Sequence, residues 1–404
     1  MKIRYLIALV LIIVMLCSCA SSKNVDERPR RRKPSPTPEW VKRIPQRCRE
    51  VLVERHLYKD GEVWGLARRL PDGELPYDEA GSAAFYRFVR RFDLWDKVPP
   101  LTDHERQKAL RFWQSWQDPE TGVFKDPRDP DRRIHEKCVV EIIRHLGGEP
   151  LYPRKQSQQA AGRDESGKID TTIFLKRTRD DPNWAEGGWA VAQDTGRQAR
   201  EIFYAINDGH TYLIPDLEKG IEQIMSHQAP DGLWGSPSGR LAVRLGGALQ
   251  IIHRLYFSMG TKVPRNKELA DSLIKYERSG DWYDCGSDFC VPQNVLILTA
   301  YCLEVSDYRR EDLLGVIESE LKVYEQEWVL PDGTLLIHRG DKTSACVENV
   351  HMQALGVIGY YLNWQDCPFE NKFRTKSEAE LDKEFRYRLV INQAGSARVV
   401  DTRK

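Results

Sequence analysis

The chain has 404 residues, with 61 lysines and arginines against 60 aspartates and glutamates and a formal net charge of +1. A balance so near neutral argues against nucleic acid as a partner. Behind the N-terminal segments roughly 365 residues remain, enough for one large helical domain or two ordinary ones.

Lys2 and Arg4 precede the apolar run Tyr5 to Leu16. The run is too short for an ordinary membrane span and has the charged-then-apolar layout of a secretion signal. It closes on Leu16-Cys17-Ser18-Cys19-Ala20, which resembles the lipobox of bacterial lipoproteins. That likeness implies a signal over 1–19, acylation of Cys19, and a lipid anchor holding the exported protein to a membrane of the bacterial cell envelope; an ordinary cleaved signal is the alternative. Residues 20–38 carry the run Arg28-Pro29-Arg30-Arg31-Arg32-Lys33 and a Pro-rich end, with Val25 as the sizeable apolar side chain. Such a segment buries too little surface to offset its ordering entropy and reads as a disordered tether.

From residue 39 to residue 364 the pattern is helices in pairs around glycine-aromatic turns. Trp40 to His56 and Glu79 to Trp95 flank a long turn, Leu57 to Asp78. Asp103 to Trp116 pairs with His135 to Leu146 across Gln117-Asp118-Pro119-Glu120-Thr121-Gly122-Val123-Phe124. Glu149 to Lys168, rich in Gln, Ser, Gly and charge, reads as an inserted loop. Asp170 to Arg177 and Asp194 to Ile206 flank the turn that ends in Glu186-Gly187-Gly188-Trp189. Pro215 to His227 and Leu241 to Phe257 flank Gln228-Ala229-Pro230-Asp231-Gly232-Leu233-Trp234-Gly235, the clearest copy. Asn266 to Arg278 pairs with the almost wholly apolar Pro292 to Val305, which predicts burial on most sides. Arg310 to Glu325 pairs with Cys346 to Leu362. Beyond Trp364, residues 365–404 are charged and less periodic, with one amphipathic stretch, Glu378 to Leu389, and read as a tail laid across the outer helices.

The turn glycines Gly61, Gly122, Gly187, Gly232, Gly280 and Gly333 recur every roughly 45 to 65 residues, the length of a helical hairpin with a generous loop. About six hairpins whose second helix is the more apolar predict an all-α protein, an (α/α)6 toroid with an inner helical ring; an open superhelix is the alternative. In a closed ring the turns rim one mouth, at the N-termini of the inner helices.

At these turns the chain resembles the α/α-toroid superfamily of terpenoid cyclases, protein prenyltransferase β subunits and several polysaccharide lyases and glycosidases. The Gln228-x-x-Asp231-Gly232-x-Trp234-Gly235 stretch is similar to the glutamine-tryptophan repeats of squalene-type cyclases. The Asp-x-Asp-Asp acid of those cyclases has no counterpart here, the nearest being Asp180-Asp181, which argues against triterpene cyclisation. Likeness to the prenyltransferases implies a zinc site of Asp288, Cys290 and His351. Competing readings are a disulfide from Cys290 to Cys285 or Cys346, or a buried thiol. Outside the signal the cysteines are Cys48, Cys138, Cys285, Cys290, Cys302, Cys346 and Cys367, an odd set that leaves at least one unpaired, buried or metal-bound.

The densest reactive set is Asp281, Trp282, Tyr283, Asp284 and Asp288, expected to face His338 and Arg339. On a polysaccharide, Trp184, Trp189, Trp234 and Trp282 suit stacking on sugar rings while paired carboxylates act as acid and base. A lyase would use Arg339 to neutralise a uronate and His338 or Tyr283 to take the proton. The plainer reading of Asp231 and its counterparts is a turn residue bonding nearby amides. His210, His227 and His253 show no partner pattern and read as ordinary histidines. The resulting expectation is a lipid-anchored lyase or hydrolase of an external polysaccharide, with a non-catalytic glycan- or protein-binding lipoprotein, or a zinc-dependent or terpenoid-type enzyme, as alternatives.

Overall fold

The computed structural model describes residues 32–51, 57–60, 63–66, 69–70, 73–74, 82–83, 86–87, 89–90, 102–127, 134, 136–152, 169–185, 187–280, 290–331, 333, 335 and 349–403. They are mostly helical, and strands occur among them only as two-stranded ladders. No described helix is long and apolar enough to cross a membrane.

Strand β1 (Ser35–Pro36) leads into helix α1 (Glu39–Val51). The stretch expected as a plain long turn holds two antiparallel hairpins, β2 (Leu57–Asp60) with β3 (Val63–Leu66) and β4 (Arg69–Leu70) with β5 (Gly73–Glu74). Helical residues at 82–83, 86–87 and 89–90 follow, with Ala83, Tyr86 and Val89 buried. Helix α2 (Asp103–Gln114) opens with a capping box: the Thr102 hydroxyl accepts the Glu105 amide at 3.3 Å while the Glu105 carboxylate accepts the Thr102 amide at 2.9 Å. Helix α3 (Glu136–His145) is tied to the preceding helical stretch by Arg87, whose guanidinium lies 2.6 Å from Glu141.

The next elements are α4 (Thr172–Asp180), α5 (Trp189–Asn207), α6 (Ile214–Ser226), α7 (Leu241–Ile252), α8 (Asn266–Ser279), α9 (Cys290–Val305), α10 (Arg310–Val323) and α11 (Asn349–Tyr361). Helix α5 begins a full turn earlier than Asp194, because Gly187 and Gly188 take φ of +97° and +54° and finish the turn before Trp189. Helices α7 and α10 each widen at the C-terminus into a π-helical turn, His253–Phe257 and Tyr324–Trp328.

Helix α5 packs along α7, α7 along α9, and α9 along α11, while α4 packs on α6 and α8 on α10. The inner row is the apolar one: Val295, Leu296, Ile297, Leu298, Ala300, Tyr301 and Leu303 of α9 are all buried. Side-chain bonds fix the direction of α9 and α11. Gln293 near the start of α9 donates to Gln353 near the start of α11, and Tyr361 at the end of α11 donates to the Ala300 carbonyl at 3.2 Å. Helices α5 and α7 agree, since Gly187, just before α5, adjoins Arg244 near the start of α7 while Gly196 lies against Gln250 and Arg254. The inner helices therefore run parallel, with their N-termini at one end beside the turns.

Strand β6 (Trp364–Gln365) pairs in parallel with β1, Ser35 opposite Trp364. Arg32 reaches Glu311 at 2.6 Å and Glu318 at 3.2 Å, and the Thr37 hydroxyl bonds the Gln365 carbonyl. Residues 32–38 are thus docked on the last hairpin instead of ending a solvated tether. The tail also departs from the expected course. A Cβ on Gly356 would meet the Glu370 carbonyl at 2.5 Å, and Phe373 packs on His253 and Phe257 with centroids 5.8 and 5.4 Å apart, so this stretch crosses inner helices. It then forms helix α12 (Glu378–Glu384) and the hairpin β7 (Tyr387–Ile391) with β8 (Ala397–Asp401), which lies on the outer helix α6 through Val399 N–H to Glu218 at 2.7 Å. Cys302 is a free, buried thiol, and burial pushes it far above its usual range.

Candidate functional site

The turn end is built by a repeated side-chain device. Gln117 Nε2 donates to the Gly122 carbonyl of its own turn at 2.9 Å and to the Tyr152 carbonyl at 2.7 Å, while its Oε1 accepts the Tyr152 amide at 2.9 Å. Gln228 repeats the pattern, donating to Gly232 at 2.9 Å and to Pro264 at 3.0 Å. Proline has no N–H to return, and Gln228 Oε1 is accordingly buried with no hydrogen-bond partner. Each glutamine thus ties its turn to the connection that leads into the following helical pair.

Asp231 sits inside this device. Its Oδ1 accepts the Leu233 amide at 3.1 Å and an Arg244 N–H at 2.7 Å, and Arg244, 1% exposed, also donates from Nε to the Trp234 carbonyl at 3.3 Å. Asp118 does the same turn work, accepting the Glu120 and Thr121 amides at 2.8 and 3.0 Å. Those backbone donors hold its carboxyl below the usual range. Both carboxylates therefore serve as turn residues.

Trp234 is 0% exposed, with its indole N–H on the Ile224 carbonyl at 2.9 Å. Trp184 is 3% exposed, donates to the Arg177 carbonyl at 3.0 Å, and stacks on His227 with centroids 4.6 Å apart. Neither presents a face to a sugar, which corrects the expected stacking role. Trp189 differs: it is 50% exposed at the first position of α5, and a Cβ on Gly246 of α7 would lie 2.9 Å from its Cδ1. One edge of the indole rests on α7 and about half of the residue is open to solvent.

His227 is better placed than its sequence context suggests. The Thr178 carbonyl lies 2.8 Å from Nε2, so that nitrogen carries the proton and Nδ1 keeps its lone pair. Burial lowers its pKa, against the carbonyl's opposite pull, which keeps the ring neutral at pH 7. Arg179, Asp180, Asp181, Trp184 and Ser236 join it around an open groove of about 350 Å³. No spacing rule announces a stacking partner 43 residues away, as Trp184 is from His227, so nothing in the sequence signals this pairing.

Asp281, Trp282, Tyr283, Asp284, Asp288, His338, Arg339 and Cys19 lie outside the described residues. Of the implied zinc ligands, Cys290 is the first residue of α9, its side chain outside the described set, and His351 the third of α11, so the two head neighbouring parallel helices. The His351 ring is buried, with Nδ1 3.0 Å from the Tyr324 hydroxyl and Trp328 packed on it at 5.4 Å. That nitrogen is engaged in a polar pair within the core. Searches of protein-family models, curated proteins and solved structures find no match to this chain.

Proposed function

We propose that the helical pairs close into an (α/α)6 toroid, exported and lipid-anchored through Cys19, that binds a polysaccharide at its turn end and cleaves it as a lyase or hydrolase. The observation that carries this reading is the gathering of the inner-helix N-termini and the solvent-open Trp189 at one end. Residues 281–289 and 336–348, which hold the acids and bases singled out in the sequence, lead directly into two of those N-termini. Parallel order along the inner row and the pairing of β1 with β6 support closure, because together they bring the first and last hairpins side by side. A hydrolase would use two carboxylates from 281–289, and a lyase a base and Arg339.

The test incubates the protein with neutral and uronate-bearing glycans, following new reducing ends, the absorbance of an unsaturated product, and melting temperature. Product formation that Trp189→Ala weakens through KM supports the reading. A raised melting temperature with no product from any glycan supports instead the non-catalytic binding protein, a reading favoured by the burial of Trp184 and Trp234. No product and no stabilisation refutes both.

A further inference from the structure

Arg200 of α5 and Arg254 at the end of α7 lie at the seam between two inner helices. Gly196 makes room for Arg254: a Cβ there would stand 3.1 Å from Arg254 Cγ and 3.4 Å from the Gln250 carbonyl, so the Arg254 stem crosses α5 one turn before Arg200. Each side chain is partly exposed, yet its Nε is buried and has no hydrogen-bond partner. Among the described residues neither guanidinium has a carboxylate partner. Their neighbour Arg197 is different, lying 3.2 Å from Glu201 and 4.0 Å from Asp194, and Asp194 is shared with Arg177 at 2.9 Å. The nearby acids are therefore already engaged.

Two neighbouring guanidinium groups, each partly buried with an unpartnered Nε, are costly. Desolvation disfavours each charge, and the proximity of Arg200 and Arg197 adds to burial in lowering the Arg254 pKa, with Glu201 opposing. A structural arginine gains packing and loses nothing by finding a carboxylate, as Arg244 does with Asp231. Arg200 and Arg254 instead keep their planar donor forks unspent on a surface that solvent reaches. We propose that they form a binding site for an oxyanion, a carboxylate, sulfate or phosphate group, held by paired charge-assisted hydrogen bonds from both forks. Helix α5 carries Trp189 eleven residues before Arg200. At a rise of about 1.5 Å per residue the two stand roughly 16 Å apart, far enough to contact different parts of one extended ligand.

The test measures the melting temperature of the full chain with sodium sulfate, sodium phosphate, an oligogalacturonate and a neutral cello-oligosaccharide, each at matched ionic strength. Wild type is expected to be stabilised by at least one anionic probe, with affinity about ten-fold weaker in Arg254→Gln and lost in the Arg200→Gln/Arg254→Gln pair, while Arg111→Gln on the exposed face of α2 behaves as wild type. Without anion the glutamine variants should melt no lower than wild type, since each removes a like-charge contact. Arg254→Lys keeps the charge and loses the fork, and is the second variant should glutamine fail to fold. Stabilisation by inorganic anions alone assigns the site to a small free ion, and stronger stabilisation by the oligogalacturonate assigns it to an acidic saccharide. Equal stabilisation of wild type and the double variant, or none by any anionic probe, overturns the site. Stabilisation by the neutral glycan alone overturns it too while leaving the polysaccharide reading intact.

Discussion

At the scale of single residues, the turn end depends on Arg244. Its burial is tolerated because both ends of the guanidinium find acceptors, Asp231 and the Trp234 carbonyl. Arg244→Met keeps the apolar stem but leaves a carbonyl and a half-buried carboxylate unpaired, so it is expected to lower stability by about 2–3 kcal/mol in urea unfolding. Asp231→Asn still accepts the Leu233 amide and should cost only about 1 kcal/mol. A smaller loss for Arg244→Met than for Asp231→Asn would mean the arginine is held by packing alone. Asp231 as a turn residue was legible from Asp-Gly before an aromatic residue. The fate of Trp234 was not, because the Gln-to-Trp spacing is the same whether the ring faces solvent or, as here, turns inward to bond a carbonyl of the preceding helix.

At the scale of elements, two glycines make opposite predictions. Gly247 lets α7 approach the preceding turn so closely that a Cβ would stand 2.2 Å from the Gly187 carbonyl, whereas Gly315 in α10 has nothing within 4 Å of that position. Gly247→Ala must move backbone and is expected to cost about 2 kcal/mol or more. Gly315→Ala gains helix propensity and is expected to add about 0.5–1 kcal/mol. Denaturant midpoints measure both.

The Arg87–Glu141–His145 group that ties α3 to the helical residues before it supplies a pH signature. Burial alone would raise the Glu141 pKa, but hydrogen bonds from His145 and Arg87 outweigh it and hold the carboxyl at about 2, below its ordinary 4.5. A depressed folded-state pKa stabilises above the unfolded value and loses that contribution as pH falls from about 4.5 towards 2. Discounted for solvent screening, Glu141→Gln should cost about 1 kcal/mol at pH 7, and the gap to wild type should close across that window. A gap that stays constant between those pH values would show the ion pairs contribute nothing. The helical pairs of this scale are readable from 3.6-residue periodicity. The tail is less legible, because Phe385, Tyr387, Leu389 and Ile391 alternate with period two, a strand signal that begins before the helical pattern of Glu378–Glu384 has faded.

At the scale of the whole molecule, curvature decides whether the helical row bends back on itself. The periodic turns made hairpins legible but carried no information about curvature, which is set by how far each inner helix rotates against the next. The described contacts run α5, α7, α9, α11, then return through β1 and β6 to the N-terminal segment, and Arg87 continues from the first hairpin to α3. The remaining seam, between α3 and α5, is spanned by residues 153–168, outside the described set. If that seam closes, a chain of roughly 370 residues has a radius of gyration of about 21 Å, the value for a compact protein. Small-angle scattering on a chain beginning at Arg32 measures it directly, and an open superhelix of the same hairpins would give a distinctly larger value. Starting the chain at Glu39 instead removes the β1 pairing and the Arg32 ion pairs. If those contacts hold the ring shut, the shorter chain should scatter as a larger particle as well as melt lower; an unchanged radius with a lower melting temperature would make them a surface fastening that closure does not need.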